Sequence, residues 1–267
     1  MWKKLNSGST MLQAKLAIPS PADDGNPVKS FVQLEYYNGV QLLQTVHKSL
    51  SGLSKVIRGT ALLDEKVSRL ADALLRQETP AKWLKMWDGP EDPVEYIQTV
   101  VGKANEVQKW LGRVDSGSLL TGDLDLADLF HPDTFLGALR QLTAREFGMP
   151  MDELKLANSW NRSGLTGAKI SISVVGMMLE GAAFDGNRLV ASEHDSPTHS
   201  MAPGCVLAWV PDNLPDHYSR EEAIRLPLYL NSERDKIVAS LDLPCGSSGS
   251  QDKWLQSGTV LFLSSVI

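Results

Sequence analysis

The residue types that could do chemistry fall in a few places along the 267 residues. His194, Asp195 and Ser196, with His199 and Ser200 just after, supply the side chains of a hydrolase triad. A triad needs its members fixed in space by separate rigid elements, whereas these share one polar stretch with Pro197. No Gly-x-Ser-x-Gly elbow accompanies them, so they read as a solvated loop. Asp123, Asp125 and Asp128 have the oxygen chemistry of a calcium loop. That loop also needs a central glycine and a glutamate at its twelfth position, where Thr134 stands. They read as solvated acids ahead of a helix. Gly164 to Lys169 comes nearest to a phosphate loop, but it leads into strand-like sequence, so its amides have no helix start to aim from. The five histidines are scattered and show no His-Glu-x-x-His spacing; His47 borders an apolar helical stripe and reads as a packing residue. No catalytic, cofactor-binding or metal-binding residue is assigned, and no cofactor is expected.

The totals narrow the classes further. Acidic residues outnumber basic ones, 32 to 26, for a net charge of −6. No basic stripe with interleaved aromatics appears, so a grip on nucleic-acid phosphates is not expected. No apolar run reaches the roughly 20 residues of a membrane span, and the first residues lack a secretory core. Cys205 and Cys245 are far apart and lack ligand spacing, which reads most simply as two thiols in a reducing compartment. Asn161-Arg162-Ser163 matches a glycosylation pattern by chance.

Elements follow from periodicity. Residues 1–27 end in Pro19-Ser20-Pro21 and Asp23-Asp24-Gly25-Asn26-Pro27, which is linker chemistry and suggests a fragment of a longer protein. A helix is expected over 28–57 on the stripe Leu42, Leu43, Val46, Leu50, Leu53 and Ile57, with Gly59 as its C-cap. A second runs over Leu63, Val67, Leu70 and Leu74 to about Gln77, stopped by Pro80. Asp92 caps and Pro93 opens a third, carrying Val94 to Leu111. Residues 112–128 read as a loop. In the stretch Leu129–Arg145, Pro132 and Asp133 start a helix whose apolar face is Phe135, Ala138, Leu139 and Leu142, with Arg140, Gln141 and Asp133 opposite. Because the apolar period changes from helical to two after it, this helix is expected to pack against both halves.

Met151–Trp160 fits a short helix or a strand. Beyond it, Ile170–Val174, Met177–Glu180, Ala182–Phe184, Arg188–Val190, Cys205–Val210, Arg225–Leu230, Lys236–Leu243 and Thr259–Leu263 read as strands. Asp185-Gly186-Asn187 is a hairpin turn. Short strands without intervening helices imply an antiparallel sandwich or barrel. The expected class is α+β: a leader over 1–27, a helical part over 28–160 and a sheet part over 161–267. Core packing is the default for the seven tryptophans, with a docking surface at Trp83 and Trp87 as the alternative.

A resemblance sharpens these expectations. Asn26-Pro27-Val28-Lys29-Ser30-Phe31, Ser49 through Gly59 and Pro80-Ala81-Lys82-Trp83 resemble, in that order, the opening of the C-terminal domain of dynein heavy chains. Thr134-Phe135-Leu136 with Gln141, Ala144 and Arg145, then Gly176 through Ala182, Pro227-Leu228-Tyr229 and Trp254 through Gly258, continue the series to the end. Leu129 through Phe135, Phe184 through Asn187, Ser232-Glu233-Arg234 and Leu243 through Gly246 resemble the branch of the family that drives retrograde intraflagellar transport.

The resemblance implies a helical bundle followed by a six-stranded antiparallel β-barrel. It implies a non-catalytic body lying across one face of an AAA+ ring. Such a body braces ring modules of its own heavy chain and tunes minus-end-directed motility. It would touch microtubules only through the parent motor, leave accessory chains open as further partners, and reside in the cytoplasm and the cilium or flagellum. By analogy, exposed residues of the first helix and the turn Trp83–Asp92 are the candidates for touching the ring. An independent docking module for accessory chains or cargo is the alternative function.

Overall fold

The computed structural model describes residues 10–20, 25–161, 164–191, 199–245 and 251–263. Helix α1, Pro27–Ile57, starts where the Asn26 side chain accepts from the Val28 and Lys29 amides, with Pro27 fixing the first turn. Helix α2, Glu65–Leu75, is capped by Asp64, and the single turn α3, Ala81–Leu84, follows. In α4, Pro93–Asp115, Asp92 caps the Val94 and Glu95 amides as its spacing predicts. Helix α5, Pro132–Phe147, ends at left-handed Gly148. A last short helix, α6, spans Gln251–Gln256.

Residues ahead of α1 are not purely a linker. A 3₁₀ turn, Thr10–Gln13, lies against the middle of α1. Gln44 donates from Nε2 to the Met11 and Ala14 carbonyls, both at 2.9 Å. Met11 itself is buried.

Eleven strands are described: β1 Asp123–Asp125, β2 Leu154–Ser159, β3 Ile172–Val175, β4 Met177–Glu180, β5 Ala183–Asp185, β6 Arg188–Val190, β7 Ser200–Met201, β8 Cys205–Pro211, β9 Ala223–Tyr229, β10 Ile237–Pro244 and β11 Val260–Leu263. Met151–Trp160 therefore resolves into a 3₁₀ turn and strand β2. The strands form a four-stranded sheet in the order β1-β3-β8-β2, a five-stranded sheet in the order β10-β9-β11-β4-β7, and the hairpin β5-β6.

The six-stranded antiparallel barrel is overturned. Among the described residues the fold is mixed α/β with three open sheets, and no ladder closes on itself. Two pairings, β1 with β3 and β9 with β11, are parallel. Alternating patterns identify strands but do not say which neighbours pair, because register is decided by long-range packing.

The seam between the two larger sheets shows how an open edge is satisfied. Where β2 faces β10, the Asn158 carboxamide takes the place of a backbone partner: Nδ2 donates to the Asp242 carbonyl at 2.9 Å, and the Asp242 amide donates back to Oδ1 at 2.8 Å. Trp160 Nε1 donates to the same carbonyl at 2.7 Å. At the opposite side the chain passes straight from β3 into β4 through Gly176, at φ 79°.

One contiguous set of buried side chains joins helices to sheets. It includes Trp83, Tyr96, Trp110 and Phe135 from the former and Trp160, Ile172, Leu228 and Leu261 from the latter. Helix α5 touches α1 on one side and β8 and β10 on the other. Arg140, expected on its outer face, lies inside this contact: its guanidinium stacks 4.7 Å from the Trp209 ring and donates to the Leu154 carbonyl. Long side chains carry an apolar stem and a flat cation that suit such a boundary. No described helix is long and apolar enough to cross a membrane.

Candidate functional site

The most concentrated polar chemistry lies along residues 123–131, which run from β1 to the start of α5. Their backbone crosses between sheet and helices, so its groups must find partners other than a regular ladder. Lys103, on the buried stripe of α4 with Val100, Ala104 and Val107, donates to the Ala127 carbonyl and, at 2.9 Å, to that of Leu129. Trp87 Nε1 donates to the Phe130 carbonyl at 3.3 Å. Glu35, on the buried stripe of α1, accepts from the His131 amide at 2.8 Å and from His131 Nδ1 at 2.9 Å. Its carboxylate thereby sits at the positive end of α5. Trp110 Nε1 donates to Asp128 at 3.1 Å, and Asp125 accepts from the Ala127 amide at 2.9 Å.

Two glycines leave the room this segment needs. A Cβ on Gly39 would meet the Phe130 ring at 2.8 Å, and one on Gly176 would meet Asp125 Oδ2 at 2.2 Å.

Burial dominates the electrostatics. It pushes the Lys103 ammonium down to about 8, while Asp128, Glu35 and Asp125 pull it back up. It also holds Asp125 and Asp128 above the usual carboxylate range, despite the Ala127 amide on the first and the Trp110 indole on the second. The arrangement fastens backbone; each polar group already faces a protein partner.

The residues singled out above are dispersed. Asp123 accepts from Ser173 Oγ at 2.5 Å, Asp125 from its own loop and Asp128 from Trp110, so the three acids face separate donors. Among the described residues no group of three or more His, Cys, Asp or Glu side chains could hold a metal. Lys169 donates to the Glu146 carbonyl and lies 4.6 Å from the Phe147 ring, away from any helix start. His194, Asp195 and Ser196 lie outside the described residues, as do Arg162 and Ser163. His199 faces Glu180 at 3.6 Å and the Phe262 ring, and Ser200 donates to the Ala182 carbonyl. His47 shares a 3.4 Å contact with Ser51.

Both cysteines are free, and burial pushes the Cys205 thiol up to about 12, which removes it as a nucleophile near neutrality. Trp83 and Trp87 are buried and pack against Tyr96, so the docking reading for them is overturned. The turn they begin still exposes Asp88, Glu91 and Asp92.

Glu35 and Lys103 are the two site residues that periodicity alone passes over. Each is a charged residue at i+3 on an otherwise apolar stripe, after Val32 and Val100. That interruption is the signal that could have found them.

A family model for the C-terminal domain of the dynein heavy chain matches residues 1–263. The chain belongs to that family. Relatives of this dynein C-terminal domain include cytoplasmic dynein 2 heavy chain 1 of Homo sapiens, 47% identical over 98% of the chain. The protein of the same name from Tripneustes gratilla is 48% identical over 98%, and that from Chlamydomonas reinhardtii 34% over 99%. In each case the match covers 6% of the relative's length. A dynein C-terminal domain is not itself an AAA ATPase module.

Proposed function

We propose that this domain is a non-catalytic brace of a dynein 2 type heavy chain, one that spans modules of the AAA+ ring and tunes minus-end-directed movement in retrograde intraflagellar transport. The observation that carries the reading is the segment 123–131. It belongs to the four-stranded sheet through β1 and is held to α1 and α4 by Glu35, Lys103 and Trp87. A body whose halves are joined by packed side chains and buried hydrogen bonds transmits displacement with little loss. It biases a motor when its contacts differ between ring states.

On this reading the domain carries no catalytic, cofactor-binding or metal-binding residue. The helices and the sheets, which share residues 123–125 and 154–159 of the mainly helical stretch 28–160, act together. Its partners are the AAA+ modules of its own heavy chain, in the cytoplasm and at the cilium, and microtubules are engaged only by the rest of the motor. The test is a complete heavy chain truncated ahead of Thr10. The truncated motor should keep its ring and show altered velocity, stall force or ATP turnover. If all three are unchanged, the brace reading is wrong.

A further inference from the structure

Helix α1 is longer than the core it serves. Its fully buried residues stop at Val46; Leu50 and Leu53 are half-buried against the core, and the last turn, carrying exposed Ile57, runs past it. Helix α2 folds back along this end of α1, with Val67 beside Gly52. The result is a helical hairpin whose stems rest on the core through Leu50, Leu53, Leu70 and Leu74 and whose connecting turn is exposed.

The tip of the hairpin is apolar. Ile57 is 76% exposed, Leu62 94% and Leu63 61%, with exposed Ala61 among them. Three large aliphatic side chains in one turn, all open to solvent, cost free energy unless something covers them. The turn is well formed, not frayed. Gly59 ends α1 at φ 71°, the Thr60 amide donates to the Lys55 carbonyl, and Asp64 caps α2.

Charge narrows what could cover it. Although the full sequence has a net charge of −6, the stretch 55–69 has four basic side chains, Lys55, Arg58, Lys66 and Arg69, against Asp64 and Glu65. The acids are engaged internally, Asp64 in the α2 cap and Glu65 with Arg69. Lys55, Arg58 and Lys66 form no ion pair among the described residues. The domain corresponds to 6% of its relatives' length, so most of the surface to which such a domain is joined lies elsewhere in the same heavy chain.

We propose that the α1–α2 tip docks into an apolar groove edged by carboxylates on another part of the same heavy chain. Ile57, Leu62 and Leu63 fill the groove, and Lys55, Arg58 and Lys66 face its acidic rim. This rests on the brace reading and names one of the brace's contacts.

The experiment uses the complete motor carrying a photoreactive phenylalanine analogue in place of Leu62. Illumination should join position 62 to an apolar stretch flanked by Asp or Glu within the same heavy chain. Leu63→Asp should lower the yield by about tenfold, the scale of one buried aliphatic side chain. Lys55→Glu with Arg58→Glu should lower it too, and added salt should weaken the wild-type contact. All these positions are exposed, and an unchanged melting temperature will show that the variants fold. No product, or one only with an accessory chain or tubulin, overturns the docking site. If the product forms yet truncation leaves motility unaltered, the brace reading fails while the docking site stands. If truncation alters motility and no product forms, the reverse holds.

Discussion

Lys103 is a residue whose protonation is tied directly to folding. Burial lowers its ammonium from the ordinary 10.5 to about 8. Below pH 8 the folded and unfolded states both hold the proton, and the fold bears the full cost of a buried cation. Between about pH 8 and 10 the folded state gives up the proton first, the unfolded state binds more, and stability rises with pH. Lys103→Met abolishes that rise. The wild type should therefore gain about 2 kcal/mol relative to Lys103→Met between about pH 7.5 and pH 10, read from urea midpoints in the two proteins. Cys205, Tyr96 and Tyr218, all raised by burial, act in the opposite direction at alkaline pH. Being common to both proteins, they cancel. A gap that stays flat with pH would show that the amine is not desolvated as its position implies.

At the scale of elements, Gly176 is the sharpest constraint. It holds φ 79° where β3 becomes β4, and any Cβ there would strike the Asp125 carboxylate. Gly186, in the β5–β6 turn, also has positive φ, at 58°, but nothing lies within 4 Å of its would-be Cβ. Gly186→Ala should cost about 1 kcal/mol, the backbone penalty alone. Gly176→Ala should cost about 3 kcal/mol, because the Asp125 carboxylate must also be displaced from its place on the Ala127 amide. Denaturant unfolding of both variants measures the difference, and equal losses would contradict the contact.

The same elements separate what is legible in the sequence from what is not. Helices α1, α4 and α5 are legible because caps, prolines and a 3.6-residue stripe coincide at their starts. The β5–β6 turn is legible because Asp-Gly-Asn encodes it locally. Strand β1 is not: Asp-Leu-Asp has no strand signature and pairs only because β3 lies beside it. The barrel fails for a related reason, since parallel pairing and the Asn158 seam depend on partners far along the chain. Arg140 reads as an outward residue by its charge, and only the Trp209 ring that receives it turns it inward.

For the whole molecule, the continuity of the buried side chains is decisive. Trp110 and Phe135 meet edge to face within the helices, with centroids 5.2 Å apart, and Trp209 from the sheet donates to Leu136 of α5. With no apolar gap between helices and sheets, separate melting would expose the shared face of both. Calorimetry of the protein should show one transition, with van't Hoff and calorimetric enthalpies in agreement. Two resolved transitions would mean that residues 123–131 and α5 do not couple the halves, and the brace would lose its mechanical basis.

The seating of Met11 and Ala14 on Gln44 has a consequence for how load enters such a body. Gln44 stands near the midpoint of α1. A tug on the residues before Thr10 reaches the helix broadside there, not at its Asn26 end. Two hydrogen bonds and the buried Met11 side chain then share that pull before it is passed along the chain to Asn26.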